Sequence, residues 1–207
     1  KFNLQKVEFD NVIDFKISIL KQVSKNFKVC ASPTIKKHFK KFCIKNSYWL
    51  DEYSQYWALR EENNHKPWIS WESKKPHNTD LVQEAKIIQF IFHDQWNRLH
   101  NYCKNKGIKI IGDMPIYVSY DSADTYSNKN LFQLDELGRM IFQSGCPPCE
   151  YQKKGQLWRT PLYHWENHER TDFKWWKRRF KKLFEMVDIV RLDHFIGYAK
   201  YYRIPIK

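Results

Sequence analysis

The amino-acid sequence predicts an α/β fold in which helices alternate with parallel strands. Twice along the chain, a helical pattern leads into a short apolar strand that ends in a carboxylate. The first such unit runs from Thr79 to Asp113 and the second from Thr171 to Asp193. This alternation is typical of parallel α/β proteins, whose functional residues lie at the strand tips. We therefore expect Asp113 and Asp193 to be functional candidates.

The N-terminal part of the chain is predicted to be helical. Apolar residues recur at helical spacing from Phe9 to about Phe27, which predicts an amphipathic helix. Ser32-Pro33 breaks this pattern, and a basic helical stretch follows to Lys45. A further helical stripe covers Trp49–Glu62, and a polar segment then leads to about Asn78.

The first helix–strand unit has clear boundary signals. Thr79-Asp80 offers an N-cap, and Gly107 stands where a C-terminal glycine is expected. The strand Ile108–Asp113 follows directly. The apolar face of the helix comprises Leu81, Ala85, Ile88, Phe92, Trp96, Leu99 and Cys103.

The second unit repeats this order. Thr171-Asp172 is predicted to cap a helix that continues to Phe184, and the run from Val187 to Leu192 reads as a buried parallel strand. Arg191 and Asp193 are two residues apart and would therefore emerge on one face of the strand end. The alternative is an ordinary surface ion pair.

Met114 to Arg170, about 60 residues between the two strands, shows no strong periodicity. A segment of this length without regular structure is uncommon in a compact domain and tends to elaborate an active site. We therefore expect the substrate cleft to be built there. His93, His100 and His194 are isolated histidines and are expected to be structural or surface residues.

A zinc-finger-like spacing lies within this segment. Cys146, Cys149, His164 and His168 give C-x2-C and H-x3-H separated by fourteen residues. Prolines at 147, 148 and 161 oppose the turn and the helix that a finger requires. We expect no metal site, and a basic zinc module that binds nucleic acid stays as the less favoured alternative.

Charge and composition set further bounds. The formal net charge of the 207 residues is +13, but the basic residues fall mainly on stretches that look helical, where a solvated face is the usual explanation. No apolar stretch approaches 18 residues, and no signal peptide is recognisable. Five cysteines fit reduced thiols better than disulfides. We expect a cytoplasmic protein with no nucleic-acid or membrane partner.

Several ordered blocks resemble the amylomaltase family, the 4-α-glucanotransferases. They occur in the family's order over about Tyr48 to Pro205, so their combination is more specific than any single motif. Trp49–Tyr53 and Pro67-Trp68 also resemble that family. The blocks are Gly112–Val118 with Asp121–Asp124, Leu131–Asp135 with Gly138, Gly155–Trp158 with Pro161–Tyr163, and Val190–Phe195 with Gly197.

The resemblance implies a partial (β/α)8 TIM barrel with long inserted loops. Residues 1–207 would form part of one catalytic barrel domain, with a helical insertion around 9–78, an active-site loop region at 114–170 and both ends truncated. The implied reaction transfers an α-1,4-glucan segment between maltooligosaccharides without a cofactor. It uses a retaining mechanism with a covalent glycosyl-enzyme intermediate.

The resemblance also assigns roles. Asp193 would be the nucleophile, and Arg191 would keep it charged and oriented. Asp113 would support this arginine and line the donor site, while Gln156 and Trp158 would lie in the acceptor-side loop. Asp113 and Trp158 have alternative interpretations as purely structural residues.

The sequence departs from the family pattern near the cleft. The family has aspartate at Cys149, glycine and asparagine at Arg159 and Thr160, and arginine at Ile196, which puts acceptor binding in doubt. The family's general acid, a glutamate on a later strand, would follow Lys207. We therefore expect the isolated chain to be inactive, and a degenerate carbohydrate-binding barrel is the alternative function.

Overall fold

The computed structural model describes residue 3, residues 5–150 and residues 152–206. The chain divides into two compact units. One comprises the residues up to Asn64 together with Ser73–Gln95, and the other comprises His65–Glu72 and the residues from Trp96 onward. The helices are α1 (Phe9–Cys30), α2 (Pro33–Glu62), α3 (Thr79–Asn105), α4 (Ala123–Ser127), α5 (Trp165–Arg170) and α6 (Lys174–Phe184). The strands are β1 (Ile111–Met114), β2 (Phe142–Cys146), β3 (Gln156–Pro161), β4 (Ile189–Leu192) and β5 (Tyr202–Pro205).

The first unit is helical, as the sequence predicted, but its segmentation differs. The two helical stretches predicted between Pro33 and Glu62 form the single helix α2, because the residues between Lys45 and Trp49 contain no helix breaker. Ser32 caps this helix by accepting from the Ile35 N–H at 3.3 Å. The buried apolar residues of the unit are Phe39, Phe42, Leu50, Tyr56, Ala58, Leu59, Ala85 and Ile87.

Helix α3 begins and ends with local capping interactions. The Asn78 side chain accepts from the Asp80 N–H at 2.9 Å, so Asn78 caps the helix in place of the predicted Thr79. At the other end, Gly107 has a φ of 71°. The Ile108 N–H donates to the Cys103 carbonyl at 2.9 Å and the Gly107 N–H donates to the Lys104 carbonyl at 3.0 Å. These two bonds form a Schellman motif and confirm the predicted C-terminal glycine. No helix within the described ranges is long and apolar enough to cross a membrane.

Strands β1 and β4 pair in parallel, as predicted. Their register aligns Ile111 with Ile189 and Asp113 with Arg191. The prediction that the β4 strand is buried was wrong, since Ile189 is 44% exposed, although Val187 just before the strand is buried. Ile111, its partner on β1, is 66% exposed. Within the described residues this sheet has two strands, so each strand keeps one unpaired edge.

The long segment after β1 contains structure that the sequence did not reveal. Strand β2 pairs antiparallel with both β3 and β5, which gives a three-stranded sheet in the order β3-β2-β5. Neither β2 nor β3 shows regular apolar alternation, and the pairing register shifts between Gln143 and Gly145. Helix α5 was also missed. Strand β5 lies close to the end of the described residues.

The predicted cap at Thr171-Asp172 was wrong. Thr171 follows the end of α5, and α6 begins only at Lys174. Asp172 and Phe173 both have a φ of 50°, which turns the chain from one helix to the next. The second unit contains a buried hydrophobic cluster, here called the aromatic core because four of its six residues are aromatic. Its residues are Ile116, Leu131, Phe132, Tyr163, Trp175 and Trp176.

Candidate active site

The carboxyl ends of β1 and β4 carry a charged cluster. Because Asp113 lies opposite Arg191 in the register, the guanidinium reaches the carboxylate with two hydrogen bonds. Arg191 Nε donates to Asp113 Oδ1 at 3.0 Å and Nη2 donates to Oδ2 at 2.5 Å. This planar pairing holds the pKa of Asp113 below its ordinary value and raises the pKa of Arg191. The pairing therefore favours the ionised form of Asp113, and its two hydrogen bonds orient Arg191.

Asp193 lies one residue beyond the end of β4. Its backbone N–H donates to the Met114 carbonyl at 3.3 Å, which extends the parallel pairing past the strand end. Arg191 Nη2 lies 3.4 Å from Asp193 Oδ1. The structure thus brings the three predicted charged residues together, although Arg191 bonds more closely to Asp113 than to Asp193. The Asp193 side chain is 52% exposed and is open to a ligand.

Asp193 lines a cavity of about 390 Å³. Five of its lining residues have aromatic rings or apolar side chains, which suits the flat faces of a ligand, and Asp193 supplies the single carboxylate of the lining. The lining residues are Pro115, Ile116, Tyr117, Trp158, Thr160, Asp193 and His194.

Trp158 lies in the cavity wall and Gln156 lies beside it. The Trp158 indole N–H donates to Gln156 Oε1 at 2.7 Å. The indole ring is 5.0 Å from the His194 ring and 5.9 Å from the Tyr117 ring, measured between centroids. Gln156 therefore orients the indole from outside the cavity lining.

His194 was expected to be structural, yet it lines the cavity. It follows Asp193 directly and has a left-handed backbone with a φ of 46°. Gly197 packs beneath it, and a Cβ at Gly197 would lie 2.6 Å from His194 Cδ2 and 2.7 Å from Ile116 Cδ1. Sequence reasoning did not single out Tyr117, and it named Thr160 only as a departure from the family pattern near the cleft. For His194 and Thr160 a signal existed, because each is within two residues of a predicted site residue.

The acceptor-side residues that depart from the family pattern lie on or beside β3. Arg159 has a left-handed φ of 58°, at the position where the family has glycine. The Thr160 and buried Ser144 hydroxyls are 2.5 Å apart across the β2–β3 pair. These residues thus lie in the hairpin next to the cavity, apart from the charged cluster at β1 and β4.

The histidine and cysteine residues of the zinc-like spacing have other surroundings. His168 is fully buried in the aromatic core, and its Nε2 lies 3.1 Å from the Leu131 carbonyl oxygen. Cys146 ends β2, and Cys149 is exposed in the turn that follows. Among the described residues, no group of three or more histidine, cysteine or acidic side chains is placed to hold a metal ion.

A parallel α/β pair with an aromatic-lined, carboxylate-bearing cavity at its strand ends is the arrangement found at the active face of (β/α)8 barrel proteins. The family model described as 4-alpha-glucanotransferase, in glycoside hydrolase family 77, matches residues 1–207. The chain belongs to this family, as the ordered sequence blocks indicated.

Known relatives agree with this assignment. The chain is 35% identical to the 4-alpha-glucanotransferase of Aquifex aeolicus, over 99% of this chain and 43% of that protein. It is 37% identical to the Streptococcus pneumoniae 4-alpha-glucanotransferase, over 82% of this chain and 36% of that protein. The chain thus spans less than half the length of these curated relatives.

Solved structures show the same fold. The amylomaltase from Streptococcus agalactiae in complex with acarbose matches with a TM-score of 0.88 at 28% identity, over 96% of this chain and 42% of that one. The amylomaltase from Corynebacterium glutamicum shares the fold, with a TM-score of 0.75 at 18% identity over 92% of this chain and 26% of that one. The predicted fold class, part of a (β/α)8 barrel with long inserted loops, is confirmed.

Proposed function

We propose that the protein containing this chain is a 4-α-glucanotransferase that transfers an α-1,4-glucan segment to another glucan or to glucose. Family membership supports the reaction class. The observation that carries the proposal is the placement of Asp193, an accessible carboxylate in the aromatic-lined cavity and adjacent to Arg191.

In this mechanism Asp193 attacks the anomeric carbon, and the bond to the leaving sugar oxygen breaks. A covalent glycosyl-enzyme intermediate forms, and the hydroxyl of an acceptor sugar then displaces Asp193. Arg191 orients the nucleophile, and Asp113 orients Arg191. Trp158 and Tyr117 offer ring faces on which sugars stack, and Gln156 supports the indole.

A retaining mechanism needs a second carboxyl group, about 5 Å from the nucleophile, to protonate the leaving oxygen. Asp113 is unsuited to this task, since Arg191 binds both of its oxygens and keeps its pKa low. We propose that this second carboxyl group belongs to a residue outside the part of the chain that the structure describes, residues 3, 5–150 and 152–206. The isolated chain is accordingly expected to be inactive. The cytoplasmic location of the protein is a separate prediction from the sequence.

The test is incubation of the full-length protein with maltotriose, followed by chromatography of the products. Transfer yields glucose together with a ladder of longer maltodextrins. Glucose and maltose alone would indicate hydrolysis, and unchanged maltotriose would indicate a binding protein; either result would overturn the proposal.

Substitution locates the activity in this cavity. Asp193→Asn should lower the transfer rate at least about 1,000-fold, because the amide cannot form the glycosyl ester. Asp172→Asn is the matched control, since Asp172 is an exposed carboxylate paired with Lys177 away from the cavity. Retention of the wild-type rate by Asp193→Asn would exclude it as the nucleophile.

A further inference from the structure

The geometry points to Arg179 as a positioning residue that holds one wall of the cavity against Asp193. Arg179 lies on α6 and does not line the cavity. The wall is the segment Pro115–Tyr117, which follows β1. This inference rests on the proposed function, because its consequence is a change in the rate of glucan transfer.

The end of β1 and the wall that follows it are held in place by hydrogen bonds to their backbone carbonyl groups. A carbonyl that accepts a directed hydrogen bond fixes the orientation of its peptide plane, and three such planes in succession leave the segment little freedom. Each of three consecutive carbonyls accepts from a different part of the second unit: Met114 O from the Asp193 N–H (3.3 Å), Pro115 O from Arg179 Nη2 (3.1 Å) and Ile116 O from the Tyr163 hydroxyl.

The Arg179 side chain is itself held in place. Its guanidinium carbon lies 4.6 Å from the Trp175 ring centroid and 4.9 Å from the Trp176 ring centroid. Both indoles precede Arg179 by about one helical turn and belong to the buried aromatic core. Cation–π contacts with two buried rings restrict the guanidinium to one direction, which aims Nη2 at Pro115.

A second role of Arg179 has to be separated from positioning. Burial raises the pKa of the Asp124 carboxyl, while the Arg179 charge and a hydrogen bond from Trp175 act in the opposite direction. Arg179 therefore also offsets a buried acidic group, so removing its charge should destabilise the fold. A variant that keeps the charge and changes only the geometry is needed.

Lysine provides this variant. Arg179→Lys retains a cation near Asp124 but loses the planar fork that rests on the indoles while Nη2 reaches Pro115. A misplacement of about 1 Å at an active site costs on the order of 100-fold in rate. In the full-length protein we expect Arg179→Lys to lower kcat on maltotriose about 10- to 100-fold. We expect KM to stay within about 3-fold and the melting temperature to stay near that of the wild type.

The products supply a readout that a purely structural role would not change. A loosened wall admits water to the glycosyl intermediate, so Arg179→Lys should release a larger share of glucose and maltose relative to longer products. Lys181→Met is the matched control, because Lys181 is an exposed cation on the same helix. It should keep the wild-type kcat and product pattern.

Tyr163→Phe tests the same wall through a residue that lies outside α6. It removes the hydroxyl bonded to Ile116 and keeps the buried ring, so kcat should fall with the same shift toward hydrolysis. Wild-type kcat and product pattern in folded Arg179→Lys and Tyr163→Phe proteins would overturn the positioning role while leaving the proposed function intact. Failure of the wild-type protein to convert maltotriose would overturn both.

Discussion

The two sides of the cavity are built in different ways. The wall Pro115–Tyr117 is held by bonds from residues distant in sequence, among them Arg179 and Tyr163. The turn between β2 and β3, which leads to Trp158 on the other side, closes mainly on itself. The Cys149 and Gln152 backbones bond to each other twice at 3.1 Å, and the Gly155 N–H donates to the Gln152 carbonyl at 2.9 Å.

This difference bears on the positions at which the chain departs from the pattern that the family resemblance implies. Substitution in a segment with local bonds disturbs few neighbours, whereas substitution in a segment bound by several elements disturbs all of them. Three of the departures from the family pattern, Cys149, Arg159 and Thr160, lie in the β2–β3 hairpin. The blocks that carry Asp113 and Asp193 retain the pattern apart from Ile196. We infer that the β2–β3 hairpin can change without moving Asp193, the proposed nucleophile.

Among the variants that test this comparison, the largest effect on the transfer rate is expected at Arg191, next to the Pro115–Tyr117 wall that follows β1. Arg191→Lys in the full-length protein should lower the transfer rate about 10- to 100-fold, because an ammonium cannot make the two parallel bonds to Asp113. Arg139→Lys is the matched control, since Arg139 pairs with Asp135 outside the cavity lining and is 66% exposed. Equal rates in the wild type and Arg191→Lys, measured with maltotriose, would break the comparison.

An intermediate effect is expected on the hairpin side. Arg159→Gly should raise the free energy of unfolding by about 0.5–1 kcal/mol, because glycine adopts the left-handed backbone without a steric penalty. Urea denaturation measures the change. Lys154→Gly, in the same hairpin but not at a left-handed position, should give no gain. A loss of stability in Arg159→Gly would show that the arginine side chain makes compensating contacts.

The smallest expected effect concerns the core behind the wall. Burial lowers the pKa of His168 from its ordinary value of 6.5, and the His168 ring lies 5.3 Å from the Tyr163 ring. The unfolded state therefore binds a proton at a higher pH than the folded state. Stability is fully present above pH 6.5 and decreases as the pH falls from there toward the lowered folded value.

Urea unfolding at several pH values between 7.5 and 5 checks this dependence. His168→Gln should flatten the curve over this range, although the variant itself is less stable. His38→Gln, at an exposed histidine on α2, should retain the wild-type slope. An unchanged slope in His168→Gln would assign the pH dependence to another group.

The sequence predicted those features that depend on local signals. Gly107 identified the end of α3, because a left-handed glycine after an apolar helix is a local motif. The apolar runs before Asp113 and Asp193 identified both parallel strands. The two-residue spacing of Arg191 and Asp193 predicted their proximity, and the ordered blocks supplied the family.

Features that depend on contacts between distant residues were missed. Strand β2 is defined by its pairing with β3 and β5, and no apolar alternation around Ser144 marks it. The two hydrogen bonds from Arg191 to Asp113 join residues 78 positions apart and follow from the strand register. Periodicity did not predict them, and only the family resemblance implied that Asp113 supports Arg191. The position of His194 in the cavity wall was not predicted, because a single histidine carries no pattern and its place follows from a left-handed turn.

Gly197 limits which positions around the cavity can be varied in laboratory evolution. Its missing side chain leaves the space that the His194 ring and Ile116 occupy, so any other residue there would push a cavity-lining group aside. A combinatorial library should keep Gly197 unchanged and vary Arg159 and Thr160. Variation there should reshape the Trp158 side of the cavity, while the pairing of β1 with β4 that places Asp193 is retained.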